Sequence, residues 1–308
     1  MQVPNLTPVR SRPWASIWRA DAADGVWWLK VGSAATGYEP RLLRLLRDLW
    51  PGLVPEVAIH PDQPWALVAD AGRPVRELLA PGPAATAFWC GLLADYAELQ
   101  QAVPVAALRA VGVPDATPAA LPGMAQQLLA EPAWLEPEYA PELTAADRRR
   151  IADCAPALRE AAGALADGLP PTLQHDDLHG SNVFRRADRT AVIDWGDACL
   201  AHPFGTLLVT LRALGADWGL PADAAPLARV RAAYLEVWRT RGESTAELER
   251  QLDLALRTGC LARAASWRRA LGTPGAGSEL GLAGGVAHWL LLAARALEPG
   301  GRGVGELL

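Results

Sequence analysis

Hydrophobic residues follow two rhythms along this chain. Over the first 70 residues they come in short runs broken by turn residues, as strands do. Ala15 to Ala20 and Val26 to Val31 flank a segment containing Asp24-Gly25, a step that favours a hairpin. From Pro40 to Trp50 the rhythm turns helical. Leu42, Leu43, Leu45, Leu46 and Leu49 recur at helical spacing, Pro40 suits a first helical position, and Pro51-Gly52 stops the run. Two further strands are expected at Pro55 to Ile59 and Trp65 to Ala69, around a turn from His60 to Pro64.

After Asp70 the chain becomes rich in Ala and Leu at helical spacing. Helices are expected over Ala84 to Gln101, Gly205 to Gly215, Ala224 to Arg241, Thr245 to Ala270 and Gly281 to Ala296. One long amphipathic helix is expected from Thr144, a plausible N-cap, to about Asp167. The Pro-dense stretch from Val103 to Pro141 reads as loops with one short helix near Met124 to Leu129. Short extended segments, Leu173 to Phe184 and Ala191 to Asp194, interrupt the helices, and the Gly-rich tail after Pro299 is expected to fray. No internal repeat is found. The outline is a sheet-plus-helix lobe over 1–70, a narrow connection near 69–75, and a larger helical lobe over 71–308.

Composition narrows the class. With 51% hydrophobic residues and 13 Trp in 308, the chain is too apolar for disorder. A net charge of −5 argues against non-specific nucleic-acid binding, which needs a basic footprint. The most apolar late stretch, Gly281 to Ala294, is too short and Gly-rich to span a bilayer, so no membrane role is expected. Met1 to Arg12 has no apolar signal region, and four scattered cysteines without a C-x-x-C suit a reducing cytoplasm.

One charge changes the picture. Of the 29 basic residues only Lys30 is a lysine, and it sits in the apolar run Val26 to Val31. A compact ammonium and a planar guanidinium are not interchangeable at a tight site. Elsewhere, His, Asp and Asn crowd into His175 to Asn182, and Ala191 to Asp197 ends an apolar strand in Asp194 and Asp197. Polar groups at the end of a buried strand are costly unless they bind something. Phosphoryl transfer asks for such a set: one carboxylate to orient the attacking hydroxyl, and an amide oxygen with a second carboxylate to hold Mg²⁺. Asp177 and Asn182 stand in the D-x-x-x-x-N relation of a kinase catalytic loop, and Asp194 of I-D-W-G takes the place of the metal-binding Asp of D-F-G.

These residues resemble the aminoglycoside phosphotransferase and choline-kinase-like family, whose fold is protein-kinase-like. Its usual signature is H-G-D-L-H-x-x-N followed by I-D-W or I-D-F. The chain has His175, Asp176, Asp177, Leu178, His179 and Asn182, then Ile193, Asp194 and Trp195. The resemblance implies an α+β, two-lobe fold with a small antiparallel sheet plus helix in the first lobe and a mainly helical second lobe. It implies a Mg²⁺-dependent transfer from ATP or GTP to a small-molecule hydroxyl. Asp177 would be the base, and Asn182 and Asp194 the Mg²⁺ ligands. Lys30 would be the nucleotide-binding lysine, with Glu39 its ion-pair partner. Val68 and Asp70 lie in the resembling interlobe hinge, and Ser11 and Ser16 bracket the segment where a phosphate loop is expected. Two departures stand out: Asp176 replaces the usual Gly and is expected to point away, toward an Arg or solvent, and no G-x-G-x-x-G precedes Lys30.

Plainer readings compete. Asp177 could cap a turn, Asn182 and Asp194 could bond a loop, and Glu39 could simply favour a helix N-terminus. His175 is expected to fix the catalytic loop, His179 to do likewise or touch phosphate, and Asp197 to tie the metal loop together. Two rival functions remain: a metallohydrolase using His175, Asp177 and His179 from one strand face, and a non-catalytic kinase-like binding module. For the acceptor, Asp115, Glu131, Glu136, Glu138 and Glu142 offer an acidic lining, and Trp89, Trp134, Trp218, Trp267 or Trp289 a stacking ring.

Overall fold

The computed structural model describes residues 5–239, 242–298 and 307–308. Strands β1 (Asn5–Arg12), β2 (Ala15–Ala22) and β3 (Gly25–Gly32) form two successive hairpins. Pro13 and Trp14 turn the first, so the segment from Ser11 to Ser16 is a strand-turn-strand tip. Helix α1 (Glu39–Leu49) follows and buries Leu42, Leu43 and Leu46; Pro40 sits in its first turn. Strands β4 (Val57–Ile59) and β5 (Trp65–Ala69) complete an antiparallel sheet of order β1-β2-β3-β5-β4.

The chain then crosses to β6 (Arg73–Pro74) and α2 (Val75–Leu78). Gly72 makes the crossing with φ of 93°, and a Cβ there would lie 2.2 Å from the Arg185 carbonyl oxygen. Only glycine fits so close an approach in that backbone region. Helices α3 (Pro83–Ala102), α4 (Val105–Val111) and α5 (Leu121–Leu129) come next. The second of these is absent from the loop-rich reading of Val103 to Pro141, because seven residues carry too little periodicity to register.

The long helix expected from Thr144 is two, α6 (Ala145–Asp153) and α7 (Ala155–Ala166). Thr144 does cap, its hydroxyl accepting from the Asp147 N–H while the Asp147 carboxylate accepts from the Thr144 N–H. Pro156 causes the break. Without an N–H it suits the first turn of a new helix and disfavours continuation of the old one. Short strands β7 (Thr172–Gln174), β8 (Val183–Arg186), β9 (Arg189–Val192) and β10 (Cys199–Ala201) form two small sheets, β10-β7 and β6-β8-β9.

Helices α8 (Thr206–Trp218), α9 (Ala225–Val237), α10 (Thr245–Leu271) and α11 (Gly285–Leu297) finish the fold. Gly281 to Gly284 stay outside α11. The end of the helix expected to reach Arg241, and most of the tail after Pro299, fall outside the described residues. One apolar core runs from Leu42 and Leu46 through Trp89 and Leu99 to Trp195, Phe204, Leu256 and Leu290. Among the described residues no helix is long and apolar enough to cross a membrane, and all four cysteines are free thiols.

Candidate active site

Lys30 is carried inward by β3. Its Nζ lies 2.7 Å from Glu39 Oε1 and 2.5 Å from Asp194 Oδ1, joining the sheet, the first turn of α1 and the loop after β9. Burial works against the ammonium, but Asp194 and Glu39 overcome it and hold the lysine charged, well above its ordinary range. Burial raises the Glu39 carboxyl, with Lys30 opposing. For Asp194 the balance falls the other way: burial works against the carboxylate, and Lys30 wins, keeping it below the usual range. Gly196 leaves room for this cluster, since a Cβ there would sit 3.3 Å from Glu39 Oε2 and 3.5 Å from Lys30 Nζ.

The loop bearing Asp194 is anchored from both lobes. Asp194 itself has φ of 63°, a left-handed conformation that non-glycine residues adopt only under constraint. The Tyr38 hydroxyl reaches the carbonyl oxygens of Gly196 at 2.6 Å and Ala198 at 2.9 Å. Trp195 is fully buried against His175.

Asp177 sits in the loop between β7 and β8. Its Oδ2 accepts from Asn182 Nδ2 at 3.1 Å and faces His179 Nε2 at 3.3 Å; its Oδ1 accepts from Arg263 Nη2 at 3.2 Å. Burial would raise this carboxyl, but Arg263 and His179 outweigh it and hold the group well below the carboxylate range. Asn182 also donates to the Asp177 carbonyl at 2.9 Å, which turns its side-chain oxygen away from Asp177. His175 bonds on both sides: Nε2 meets the Ile193 carbonyl at 2.9 Å, and Nδ1 accepts from the Asp177 N–H at 3.2 Å.

A cavity of about 140 Å³ brings these groups together, lined by Asp177, Asp194, Asp197 and Arg263 with Trp14, Thr36, Gly196, Trp267 and Ala270. Lys30 and Glu39 stand behind Gly196, and Asn182 behind Asp177. Other expected residues lie apart. Ser11 and Ser16 pair with each other across the exposed first hairpin at 3.2 Å. Val68 lies inside the sheet between Trp28 and Val57, while Asp70 Oδ1 accepts from Trp28 Nε1 at 2.9 Å. The connection leaves the sheet only at Ala71.

Asp176 corrects an argument. It does face an arginine, with Oδ2 3.7 Å from Arg263 Nη1, but it is buried, and the backbone is left-handed at φ of 64°. Alternation along an extended chain is therefore not what orients it. A left-handed position is where the resembling family's Gly belongs, and Asp is among the few side chains that tolerate it. Nor does the acidic segment line the cavity. Glu131 pairs with Arg268 and bonds Trp134 Nε1, and Asp115 faces Arg109 and bonds the Thr117 N–H.

The metallohydrolase arrangement is not built. β7 ends at Gln174, so His175, Asp177 and His179 share no strand face, and both ring nitrogens of His175 are committed to backbone. Among the described residues no group of three or more His, Cys, Asp or Glu is placed to hold a metal.

The residues missed by sequence reading are Arg263, Trp14 and Thr36. Arg263 is one arginine among 28, with no local motif. Its one signal is position: Arg263, Trp267 and Ala270 fall on a single helical face at spacings of four and three. Of the candidate stacking rings, Trp267 alone lines the cavity, in an edge-to-face pair with Trp14 at 6.3 Å; Trp289 lies beneath Arg263.

A family model for phosphotransferase enzymes matches residues 69–248, more than half of the chain. The chain belongs to the phosphotransferase enzyme family. The match takes in Asp177, Asn182 and Asp194 but stops short of Lys30 and Arg263. No curated protein matches the sequence. Among solved structures, the apoenzyme of macrolide 2′-phosphotransferase from Brachybacterium faecium is 22% identical, covering 92% of each chain with a TM-score of 0.55. The GDP complex of an aminoglycoside 2′-phosphotransferase is 13% identical over 95% of this chain and 91% of that one, TM-score 0.61. Ethanolamine kinase from Plasmodium vivax is 11% identical over 94% and 82%, TM-score 0.60. At these identities the likeness shows a shared kinase-like fold. Family and fold together make this chain a phosphotransferase of kinase-like fold.

Proposed function

We propose that this phosphotransferase moves the γ-phosphoryl group of ATP or GTP onto a small-molecule hydroxyl held beside Asp177. The observation that carries the reading is the Lys30 cluster: one part-buried ammonium within 2.7 Å of carboxylates from two other elements, beside the cavity that Asp177 lines. A structural ion pair has no need of a second carboxylate in a left-handed loop.

Asp177, kept ionised, orients the acceptor hydroxyl and takes its proton as the oxygen attacks in line. Lys30 draws the nucleotide phosphates into the cleft, and Glu39 fixes the ammonium there. Asp194 and Asn182 fit a hard divalent cation, offering a carboxylate and an amide oxygen turned away from Asp177. Mg²⁺, when bound, neutralises charge on the phosphates. As charge spreads over the transferring group, fixed donors in a water-poor cleft stabilise it most. His179 holds Asp177 in place, and Asp197 ties the loop to α10 through Arg263 and Ser266. The base of the nucleotide would meet the connection where it leaves the sheet, at Ala71 and Gly72. We read residues 1–70 as the nucleotide-binding lobe and 71–308 as the catalytic and substrate-binding lobe. Free cysteines suit a reducing cytoplasm.

The structures of like fold include a macrolide 2′-phosphotransferase, an aminoglycoside 2′-phosphotransferase and an ethanolamine kinase. An amino sugar, another sugar, choline or homoserine would use the same machinery. The test is calorimetric titration with ATP and with GTP, with and without Mg²⁺, followed by nucleoside-diphosphate release across those acceptors. Mg²⁺-dependent binding and acceptor-dependent release are expected. A folded protein that binds neither nucleotide overturns the reading.

A further inference from the structure

We infer that Arg263 is the positioning residue of the catalytic base: a guanidinium delivered by α10 that sets the direction in which the Asp177 carboxylate points. The inference rests on the reading of Asp177 as the base.

The geometry is that of a hub. Arg263 is buried at 5% exposure on a 27-residue helix, yet none of its ion-pair partners belongs to that helix. Nη2 donates to Asp177 Oδ1 at 3.2 Å. Nη1 donates to Asp197 Oδ2 at 3.2 Å and to the Asp176 carbonyl at 2.7 Å, with Asp176 Oδ2 at 3.7 Å. One planar fork thus spans the loop of the base and the loop of the metal ligand. Its outer face lies over the Trp289 ring, guanidinium carbon 5.6 Å from the centroid. A fork fixed at two loops and against a ring has little freedom to turn.

The two oxygens of Asp177 are held from opposite sides. Asn182 and His179 take Oδ2, and Arg263 takes Oδ1. Without Arg263 the carboxylate is free to rotate about its one remaining anchorage. Asn182 and His179 both engage Oδ2, so neither can take over the grip on Oδ1. Arg263 therefore acts on turnover through Asp177 and leaves nucleotide affinity, seated at Lys30 and Asp194, unaffected.

The experiment compares Arg263→Lys and Arg263→Met with the wild-type protein. Each is assayed with Mg-ATP and Mg-GTP against an aminoglycoside, a macrolide, ethanolamine and water as acceptors, over pH 5 to 9. Arg263→Met should lower kcat by about 100-fold or more. KM for nucleotide should change less than about threefold. Arg263→Lys keeps the charge and a donor without the fork, so it should recover at least about tenfold of the kcat lost in Arg263→Met. If Arg263→Met does not fold, the same comparison is made in Asp176→Gly, which removes a buried carboxyl from the hub. A kcat in Arg263→Met within about threefold of wild type, a KM for nucleotide that rises in step with the loss of kcat, or Arg263→Lys behaving no better than Arg263→Met overturns the inference and leaves a packing role. A wild-type protein that transfers to none of these acceptors overturns the base assignment first, and this inference with it.

Discussion

Two ion clusters share one cavity, and they are built in opposite ways. On the donor side one ammonium, Lys30, serves two carboxylates from α1 and the loop after β9. On the acceptor side one guanidinium, Arg263, serves three carboxylates from two loops. An ammonium is a point charge on a rotatable stem, suited to following phosphates whose position changes during transfer. A guanidinium is a rigid fork, suited to holding a base still. On the proposed function, the difference separates two tasks: the donor cluster would bind and the acceptor cluster would aim.

The largest effect should come from breaking the aim alone. Asp177→Asn keeps the shape and the Asn182 contact but removes the charge that orients the hydroxyl. Turnover should fall by roughly 10³-fold or more, near the upper range for a general base, while calorimetry with nucleotide shows affinity unchanged within about twofold. Retained turnover would mean that Asp177 only caps its loop. Next comes the binding side. Asp194→Ala removes a proposed metal ligand and one of two Lys30 partners, so the gain in nucleotide affinity on adding Mg²⁺ should disappear. If Mg²⁺ still tightens binding in that variant, the metal site lies elsewhere.

A subtler break exchanges the two cation types. Lys30→Arg keeps the charge but puts a planar fork where Gly196 leaves space for an ammonium. A Cβ at that glycine would already lie within 3.5 Å of Lys30 Nζ. KM for nucleotide should rise by about tenfold, with a smaller change in kcat. An unchanged KM would show that the site does not discriminate shape, and the contrast between the clusters would lose its donor half.

The clusters also differ in how legibly they are written. The donor cluster was readable because each member carries a local signal: the sole lysine in an apolar run, a glutamate opening a helix, an aspartate ending a strand. Asp177 and Asn182 were readable from their own spacing. Arg263 was not, because its partners lie 66 to 87 residues away in sequence and an arginine on an amphipathic helix is ordinary. Trp14 and Thr36 are hidden for a similar reason: one lies at the tip of the first hairpin and the other in the 3-10 turn Ala34–Thr36, and only the fold brings them to the cavity. At the level of the fold, the hairpin, α1 and the late helices followed from periodicity. The break between α6 and α7 does not show in periodicity, because the apolar pattern continues through it and Pro156 is its only local mark. Asp176 shows the limit most plainly: alternation was the wrong rule because the backbone there is left-handed.

That residue gives the smallest and most pointed test. Asp176 combines an unfavourable backbone with a buried carboxyl whose pKa is pushed up to about 8, by burial first and by Asp197 and Asp177 against the pull of Arg263. Glycine adopts its left-handed conformation without the Cβ clash, and Arg263 still has the backbone carbonyl to bond. Asp176→Gly should therefore stabilise the fold by about 1 kcal/mol from the backbone alone. The carboxyl adds a pH dependence of known sign. Its folded pKa lies above its unfolded value near 4, so the protonated form is favoured on folding. Stability from that preference is complete below about pH 4 and is lost as pH rises to about 8. The Tm advantage of Asp176→Gly should therefore widen from pH 5 to pH 8, with kcat held within about threefold. A constant advantage at both values would assign the whole gain to the backbone and show that Arg263 already satisfies the buried charge. A widening one would show that the fork is shared among more carboxyls than it can keep ionised, with Asp177 holding the larger share.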